Sequence, residues 1–247
     1  MIPGLYSAAT AMDSTNRQQE IAAENLANLQ MPGYRRRVLS HSSFDAVLRP
    51  LQETRDGVQS SKLLGTTSSD TQFDFTQGNI QETGVKLDVA LNGDGFFTVQ
   101  GPDGPLYTRS GAFHVNPQGT IVNVDDLPVM GTNGPMTLPG NSSAQQVEIA
   151  ADGSIYAGDL QIGKLAITSF ADKNVLRAEG ASLFSAPPGA VTTGSAAEVL
   201  QGRLEMANTS SVNELINIIA ISRHRDAAQR AMTTISDAIK KRIGMGQ

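Results

Sequence analysis

The apolar residues near the end of the chain repeat with a helical period. From Val212 onward they recur mostly three or four residues apart, the spacing of one face of an α-helix. The stripe consists of Val212, Leu215, Ile216, Ile219, Ala227, Ala228, Ala231, Met232, Ile235, Ala238 and Ile239. Ile218 and Ile221 lie off this stripe, so the segment from Leu215 to Ile221 is apolar on more than one side. The pattern predicts a last helix from Gly202 to Ile243 with several packing neighbours.

A second helical stripe opens the chain. Pro3 suits a first helical turn, where its missing N–H would be unpaired in any case. Apolar residues follow at Ile2, Leu5, Ala8, Ala9, Met12, Ala22, Ala23, Leu26 and Leu29. The stripe predicts a helix from Pro3 to Leu29, which ends before Pro32 because proline disfavours helical geometry in the residue before it. Asn25 and Asn28 either are exposed or cap nearby groups, or they fix the register of a helix assembly.

The centre of the chain alternates apolar and polar residues, as β-strands do. The run from Val85 to Leu91 alternates and stops at the turn signal Asn92-Gly93-Asp94-Gly95. Further strands are predicted at Phe96 to Gln100, Leu106 to Arg109, Ala112 to Val115, Thr120 to Val122, Val147 to Ala150, Ser154 to Tyr156 and Leu165 to Phe170. Short strands at this spacing are typical of a sandwich or an open barrel.

Residues 34–84 are polar and mixed, which predicts an extended connector. A strand is predicted within it from Phe73 to Gly78, where apolar and polar residues alternate. Arg35-Arg36-Arg37 forms either a solvated edge or a contact with acidic residues of a neighbouring subunit.

Composition excludes several classes of function. Among 247 residues the net charge is −5, which argues against duplex nucleic acid as a partner, since phosphate binding needs a basic face. The absence of cysteine excludes disulfides, thiolate metal sites and cysteine nucleophiles. The first residues lack a basic region followed by a long apolar run, and no apolar run is long enough to span a membrane. We therefore expect any export to proceed without a cleaved signal peptide.

Residues with catalytic or metal-binding potential are isolated from one another in the sequence. His41, His114 and His224 fall in a connector, a hairpin and a helix, without the spacing of a metal site. Asp125-Asp126 and Asp152 stand in turn-like contexts. The sequence therefore predicts no catalytic residue, no metal, no cofactor and no enzymatic activity. A carbohydrate-binding or adhesin-like β module is an alternative, but it leaves the two terminal helices unexplained.

Three stretches resemble one known family, the bacterial flagellar rod and hook proteins. Asn25-Leu26-Ala27-Asn28 followed by Pro32-Gly33-Tyr34 resembles the end of that family's N-terminal helix, although Met31 stands where threonine is usual. Residues 87–111 resemble its hairpin region. Gly202-Arg203-Leu204-Glu205 with Asn208 resembles the turn before its C-terminal helix, although Ala207 stands where serine is usual. Overall length and residues 149–155 favour the proximal rod proteins over the distal ones.

The terminal stripes and the resemblance together predict an assembly subunit. Long terminal helices bury their stripes by pairing with each other and with copies in neighbouring subunits. We expect an α+β fold in which the N- and C-terminal helices pair as a coiled-coil-like domain, with a mainly antiparallel β domain inserted between them. The predicted domains are residues 1–33 with 202–247 for helical assembly, 34–84 as the connector and 85–201 as the β-rich part.

The prediction also names assembly residues, partners and a location. The interface is expected to involve Leu5, Ala9, Met12, Asn25, Leu26, Asn28, Leu204, Asn208, Val212, Leu215, Ile216, Ile219, Ala228, Ile235 and Ile239. The resemblance implies other rod subunits and copies of the chain as partners. It also implies export through the flagellar type III apparatus, a place in the periplasmic rod, and a mechanical role in passing torque from motor to hook.

Overall fold

The computed structural model describes residues 2–43, 66–140, 146–195 and 197–244. The chain divides into two compact units. We call Met1–Ala27, Arg37–Phe73 and Ser210–Gln247 the helical unit, and Asn28–Arg36 with Asp74–Thr209 the β unit. The domain boundaries predicted from the sequence remain a prediction. The predicted division and the division into compact units both place the N-terminal and C-terminal segments together.

Among the described residues, the helical unit contains two helices and one β-hairpin. Helix α1 spans Ile2–Ala27 and helix α2 spans Ser211–Gly244. Strand β1 (Arg37–Ser43) pairs antiparallel with β2 (Thr66–Phe73), with Arg37 opposite Phe73. α1 packs against α2 and against β1. The hairpin lies in the part of the chain for which the sequence predicted a connector.

The predicted coiled-coil-like domain is wrong. The chain has one N-terminal and one C-terminal helix, but their unit also contains the β1–β2 hairpin. A coiled coil buries its large apolar residues in the seam between helices. Here the buried side chains of the two helices, among those described, are Ala22, Asn25 and Glu214, while Leu215 and Ile216 are exposed. Periodicity showed that a face was apolar, but it did not show which face meets the partner helix.

Short antiparallel strands make up the β unit. They are β3 Ile80–Glu82, β4 Val89–Asn92, β5 Phe96–Gln100, β6 Pro105–Thr108, β7 His114–Val115, β8 Ile121–Val122, β9 Met130–Gly131, β10 Gly134–Pro135, β11 Val147–Ile149, β12 Ser154–Ala157, β13 Leu160–Lys164, β14 Ile167–Phe170, β15 Arg177–Ala178, β16 Leu183–Ser185, β17 Thr192–Gly194, β18 Glu198–Gln201 and β19 Arg203–Glu205. A 3₁₀ turn spans Lys173–Val175.

The strands of the β unit form one larger sheet and several small ones. The largest has six strands in the order β15-β16-β6-β5-β14-β17, and β11-β12-β13 form a second sheet. The pairs β18-β4, β19-β3, β7-β8 and β9-β10 complete the pattern. Strands β18 and β19 come from near the end of the chain, yet they pair with β4 and β3, so the sheet pattern needs the late residues.

Apolar side chains from many of these strands form one core. Among its members are Val89, Leu91, Phe97 and Val99, which have no exposed surface. A further group of aromatic rings packs edge to face, with the ring centroids of Tyr107 and Phe170 4.8 Å apart. Burying a large apolar side chain stabilises a fold by roughly 1.5–3 kcal/mol. The β unit therefore has the interior that the alternating pattern predicted.

Three predicted boundaries are wrong by four or more residues. The last helix begins at Ser211 rather than at Gly202, because residues 203–205 pair with β3 as a strand. The strand predicted from Phe73 to Gly78 ends at Phe73. In that segment the backbone groups of Asp74, Thr76 and Gly78 bond to other partners instead of a neighbouring strand. The strand predicted from Val85 begins at Val89, after a turn at residues 86–87.

Neither helix of the described chain combines the length and the apolar character that crossing a membrane requires.

Candidate assembly surface and a buried arginine–glutamate cluster

One face of α2 exposes large apolar side chains. Val212, Leu215, Ile216 and Ile219 are between 50% and 62% exposed. Their spacing of three, one and three residues places them on one side of the first turns of the helix. We call these four residues the apolar face. Water-exposed aliphatic side chains grouped in this way mark an interaction surface rather than a core.

The opposite side of α2 packs against α1. Its partly buried residues recur at helical spacing and include Ile218, Ile221, Ala228 and Met232. Arg225 also belongs to this side, and its Nη1 donates to Oε1 of Gln19 at 2.9 Å. In the described part of the chain, the pairing of the two helices therefore leaves the apolar face of α2 exposed.

Asn25 is buried in the helical unit. Its Nδ2 donates to the carbonyl oxygen of Arg37, and its Oδ1 accepts from the N–H of Arg37, both at 2.9 Å. The side chain thus substitutes for a strand partner at the first residue of β1. Beside it, Arg37 pairs with Glu24 at 2.8 Å. Of the two alternatives for Asn25, the structure favours the one in which it caps backbone groups, although the side chain is not exposed.

Asn208 has a similar role in the β unit. Its Oδ1 accepts from the N–H of Arg36 at 2.7 Å. Its Nδ2 lies within hydrogen-bond distance of the carbonyl oxygens of Asp74 and Thr76, at 2.7 and 3.0 Å. One amide group therefore joins three segments that are distant in sequence.

A carboxylate and two guanidinium groups lie buried together in the β unit. Oε1 of Glu205 accepts from Nη2 of Arg35 at 2.7 Å and from the N–H of Gly78 at 2.7 Å. Oε2 accepts from Nη1 of Arg109 at 3.2 Å. Each of the three charged side chains has at most 2% of its surface exposed. We call Arg35, Arg109 and Glu205 the buried cluster.

Electrostatics explain why the buried cluster needs all its members. Burial lowers the pKa of Arg109, and the negative charge of Glu205 counteracts this effect. Guanidinium groups removed from water need a carboxylate partner, because an unpaired charge in the interior is very costly. Arg109 also donates to the carbonyl oxygen of Gly93 at 2.8 Å.

The backbone around the cluster is also tightly fitted. The N–H of Gly33 donates to the carbonyl oxygen of Glu205 at 2.7 Å. Gly33 has a φ of +72°, and a Cβ atom there would collide with the backbone of Ser110. Only glycine fits without a shift of this backbone.

The sequence did not predict this cluster. Arg35 was expected to be solvated or to meet a neighbouring subunit, and both alternatives are wrong because Glu205 of the same chain pairs with it. The two terminal motifs gave a partial indication of this region, because Gly33 and Glu205 belong to them. Nothing in the local sequence indicates that residues 35, 109 and 205 meet.

The other residues expected at the interface have varied environments. Ala9 is exposed, and Met12, Leu26, Asn28, Leu204 and Ala228 are partly buried. The side chains of Leu5, Ile235 and Ile239 lie outside the described part of the structure. A role in assembly remains a prediction for the whole set.

Among the described side chains, the histidines and turn aspartates show no shared site. His114 lies 3.3 Å from Asp126 on the surface, and Asp152 pairs with Lys164 at 3.2 Å. In the part of the chain that the structure describes, no three His, Asp or Glu side chains are grouped as metal ligands would be.

Comparison with known proteins identifies the family. Residues 90–157 match the flagellar hook protein FlgE/F/G D1 domain, and residues 200–243 match the flagellar basal body rod FlgEFG protein C-terminal domain. The second match includes Glu205, Asn208 and the whole apolar face.

Full-length relatives agree with the domain matches. The flagellar basal-body rod protein FlgG of Agrobacterium fabrum is 32% identical, over 94% of this chain and 95% of its own length. The flagellar basal-body rod protein FlgF of Salmonella typhimurium is also 32% identical, over 94% of both chains. FlgG of Buchnera aphidicola is 30% identical over 98% of both chains. The chain therefore belongs to the flagellar FlgE/F/G family of rod and hook proteins.

Proposed function

We propose that this chain is a structural subunit of the flagellar basal-body rod. It polymerises through its terminal helices with copies of itself and with other rod subunits, and the resulting shaft passes torque from motor to hook. The observation that carries the proposal is the apolar face of α2, which the chain leaves open to water. Covering these side chains in a neighbour contributes about 1 kcal/mol for each half-exposed aliphatic residue.

We propose that assembly uses the helices that lie within the predicted residues 1–33 and 202–247, namely α1 (Ile2–Ala27) and α2 (Ser211–Gly244). Its contacts would involve the residues named from the sequence, with the apolar face at their centre. The C-terminal family match supports this proposal, because it covers residues 200–243 and therefore nearly all of the C-terminal part named here. The family is one of structural flagellar proteins, and we propose no catalytic activity for this chain.

Location and route follow from the family. We propose that the chain reaches the periplasmic rod through the flagellar type III export apparatus. Relatives named FlgF and FlgG are equally similar at 32% identity, so a proximal position in the rod remains a prediction from the sequence.

A matched pair of valines tests the proposal. Val212 is 62% exposed on the apolar face, and Val191 is 68% exposed in the β unit. In cells that lack the native gene, Val212→Asp should abolish motility, because the carboxylate would be buried in the contact between subunits. Val191→Asp should leave motility intact. Export of both variants is verified by immunoblot of the periplasmic fraction, so that failed export is not mistaken for failed assembly. Full motility of cells carrying Val212→Asp would contradict the proposed function.

A further inference from the structure

The exposed side of α1 differs in character from that of α2. Ala9, Asp13, Asn16, Glu20, Ala23 and Ala27 are all exposed and follow one another at steps of four and three residues. This spacing gives a straight line along the helix. Ala22 and Asn25, on the other side of α1, are buried. Asp13 and Glu20 lie near the centre of the line with the exposed Arg17 beside them, and small alanines occupy both of its ends.

The exposed side of α2 continues beyond the apolar face with charges. Arg223, Asp226 and Arg230 are exposed and lie four, seven and eleven residues after Ile219, on the same side of the helix. Together with Glu20, these residues have no ion pair among the described residues. The exposed side of α2 is thus aliphatic for two turns and then carries alternating charges for two turns.

The charges on the two helices match in spacing and in sign. From Arg223 the steps on α2 are three residues to Asp226 and four to Arg230. From Glu20 the steps on α1, taken backwards, are three residues to Arg17 and four to Asp13. An antiparallel arrangement that places Arg223 opposite Glu20 therefore also places Asp226 opposite Arg17 and Arg230 opposite Asp13. All three pairs have opposite charges.

The aliphatic part fits the same register. Ile216 lies seven residues before Arg223, and Ala27 lies seven residues after Glu20. Ile216 then faces Ala27, and Ile219 faces the region of Ala23. Small residues on one helix let large residues of the other approach closely. Seven residues of helix span about 10.5 Å on both partners, so the register is kept along its length.

We propose that the exposed side of α2 binds the exposed side of α1 in a second copy of this chain. The inference rests on the proposed function and names the partner and the register of its contact. Within one chain, α1 and α2 meet through other faces, since Arg225 contacts Gln19 there. The contact between copies is head-to-tail, and repeating it adds subunits without limit unless a ring closes.

Charge opposes the parallel, in-register pairings of like helices. Two parallel copies of the α1 line would set Asp13 and Glu20 of one chain against the same acidic residues of the other, and two parallel copies of α2 would set Arg223 and Arg230 against each other. Like charges across an interface oppose association. An antiparallel pair of α2 helices would set Arg223 against Asp226 instead, and the cysteine test below distinguishes it from the complementary contact. Asp13 and Arg17 already lie 3.5 Å apart on one helix, and the second copy would add a partner to each.

Engineered cysteines test the register directly, because the chain has no cysteine of its own. Ala27 and Ile216 are both exposed, so Ala27→Cys and Ile216→Cys leave the interior untouched. After mild oxidation of the purified, concentrated full chain, the double variant should give a ladder of covalent multimers on a non-reducing gel. Disulfides need Cβ atoms about 3.5–4.5 Å apart, which makes the readout specific. Each single variant should remain mostly monomeric.

Three results would overturn the inference. A dimer from Ile216→Cys alone, formed as completely as the ladder, would indicate a symmetric α2 contact. A product of monomer size with an internal disulfide would show that these faces meet within one chain. Absence of any cross-link would show that the two positions do not approach each other.

Charge reversal gives a second test in cells. Arg223→Glu with Arg230→Glu should lower motility about tenfold or more, and Asp13→Lys with Glu20→Lys should do the same. Coexpression of the two variants should restore movement, because each supplies the complementary face for the other. The controls reverse equal charge on exposed residues of the β unit: Lys86→Glu with Arg203→Glu, and Asp103→Lys with Glu148→Lys.

These outcomes separate the inference from the proposed function. Undisturbed motility of both reversed variants would reject the register between copies, while immotile Val212→Asp cells would still support a rod subunit. Motile Val212→Asp cells would reject the rod subunit itself. Failure of the coexpressed variants to restore movement would also count against the pairing.

Discussion

The two units of the chain treat polar and apolar groups in opposite ways. The β unit buries a continuous apolar core and also encloses Arg35, Arg109 and Glu205, each with a partner. The helical unit buries Ala22, Asn25 and Glu214 among its described side chains, and the four aliphatic residues of its apolar face on α2 are each at least half exposed. A unit whose apolar side chains are buried and whose buried charges are paired is suited to stable folding. A helix face that groups exposed apolar side chains is suited to association. The contrast assigns folding to one part of the chain and assembly to the other.

The largest expected effect comes from breaking the buried cluster. Glu205→Gln keeps the size of the side chain but leaves two buried guanidinium groups without a negative partner. Removing one member of a buried ion pair typically costs about 3–5 kcal/mol. Urea unfolding followed by far-ultraviolet circular dichroism should show this loss. Glu198→Gln, an exposed glutamate of β18, is the matched control and should leave the midpoint unchanged. Equal midpoints for the two variants would contradict the role of the cluster.

A pair of leucines tests the contrast between core and surface. Leu91 has no exposed surface in the core of the β unit, and Leu215 is 50% exposed on the apolar face. Leu91→Ala should lower the free energy of unfolding by about 2–5 kcal/mol through lost burial and a cavity. Leu215→Ala should change the stability of the monomer by less than about 1 kcal/mol. Its effect should appear in motility instead. A large loss of monomer stability in Leu215→Ala would mean that the apolar face is covered within the chain.

Two asparagines make the comparison sharper, because each unit uses one in the same way. Asn25 bonds to both backbone groups of Arg37, and Asn208 bonds to Arg36 and to residues 74–76 of the β unit. Either change to alanine should destabilise its own unit by about 1–3 kcal/mol, since polar backbone groups lose their partners. Hydrogen exchange should localise the loss, with faster exchange near Arg37 in one variant and near Arg36 in the other. Asn213→Ala on the exposed surface of α2 is the control. Exchange that quickens equally everywhere would contradict this division.

The fold could be predicted from the sequence where a single local rule decides it. Strand β5 was placed correctly, because an alternating run bounded by glycine turns allows little else. The two helices were found from their stripes, with boundaries a few residues off at α1 and nine at the start of α2. That larger error arose because the strand partner of Arg203–Glu205 lies 121 to 125 residues earlier in the sequence, which no local rule reveals.

The site was less predictable than the fold. Arginine and glutamate usually lie on surfaces, so composition favoured a solvated Arg35, and only the tertiary fold brings Glu205 to it. The apolar face was identified as a candidate, yet its exposure could not be known, because periodicity does not state which neighbour covers a stripe. The prediction of a coiled-coil-like domain was wrong for the same reason. Asn25 and Asn208 stood out in motifs, but their hydrogen-bond partners became clear only in three dimensions.

The smallest expected effect is electrostatic and lies on the surface of the β unit. Lys173 donates to Asp94 at 2.7 Å, and this bond holds the pKa of Asp94 below its usual value of 3.8. The unfolded chain therefore takes up this proton first as the solution becomes acidic. The stabilisation is complete above about pH 4 and is lost as the pH falls through the lower pKa of the folded state. Because the carboxylate is largely exposed, solvent screening limits the contribution to about 0.5 kcal/mol.

Comparison of variants separates the contribution of Asp94 to the pH dependence of stability from the contributions of other carboxylates that titrate in the same pH range. Stability is measured by urea unfolding at pH 7 and at pH 3 for the natural chain and for Asp94→Asn. The natural chain should lose slightly more stability between the two values than the variant does. Lys173→Met should behave like Asp94→Asn, since it removes the cation that favours the charged carboxylate. A loss on acidification that is the same in all three chains would show that the pair does not contribute. Stability of the β unit would then rest on its core and on the buried cluster, with no measurable part from this surface charge pair.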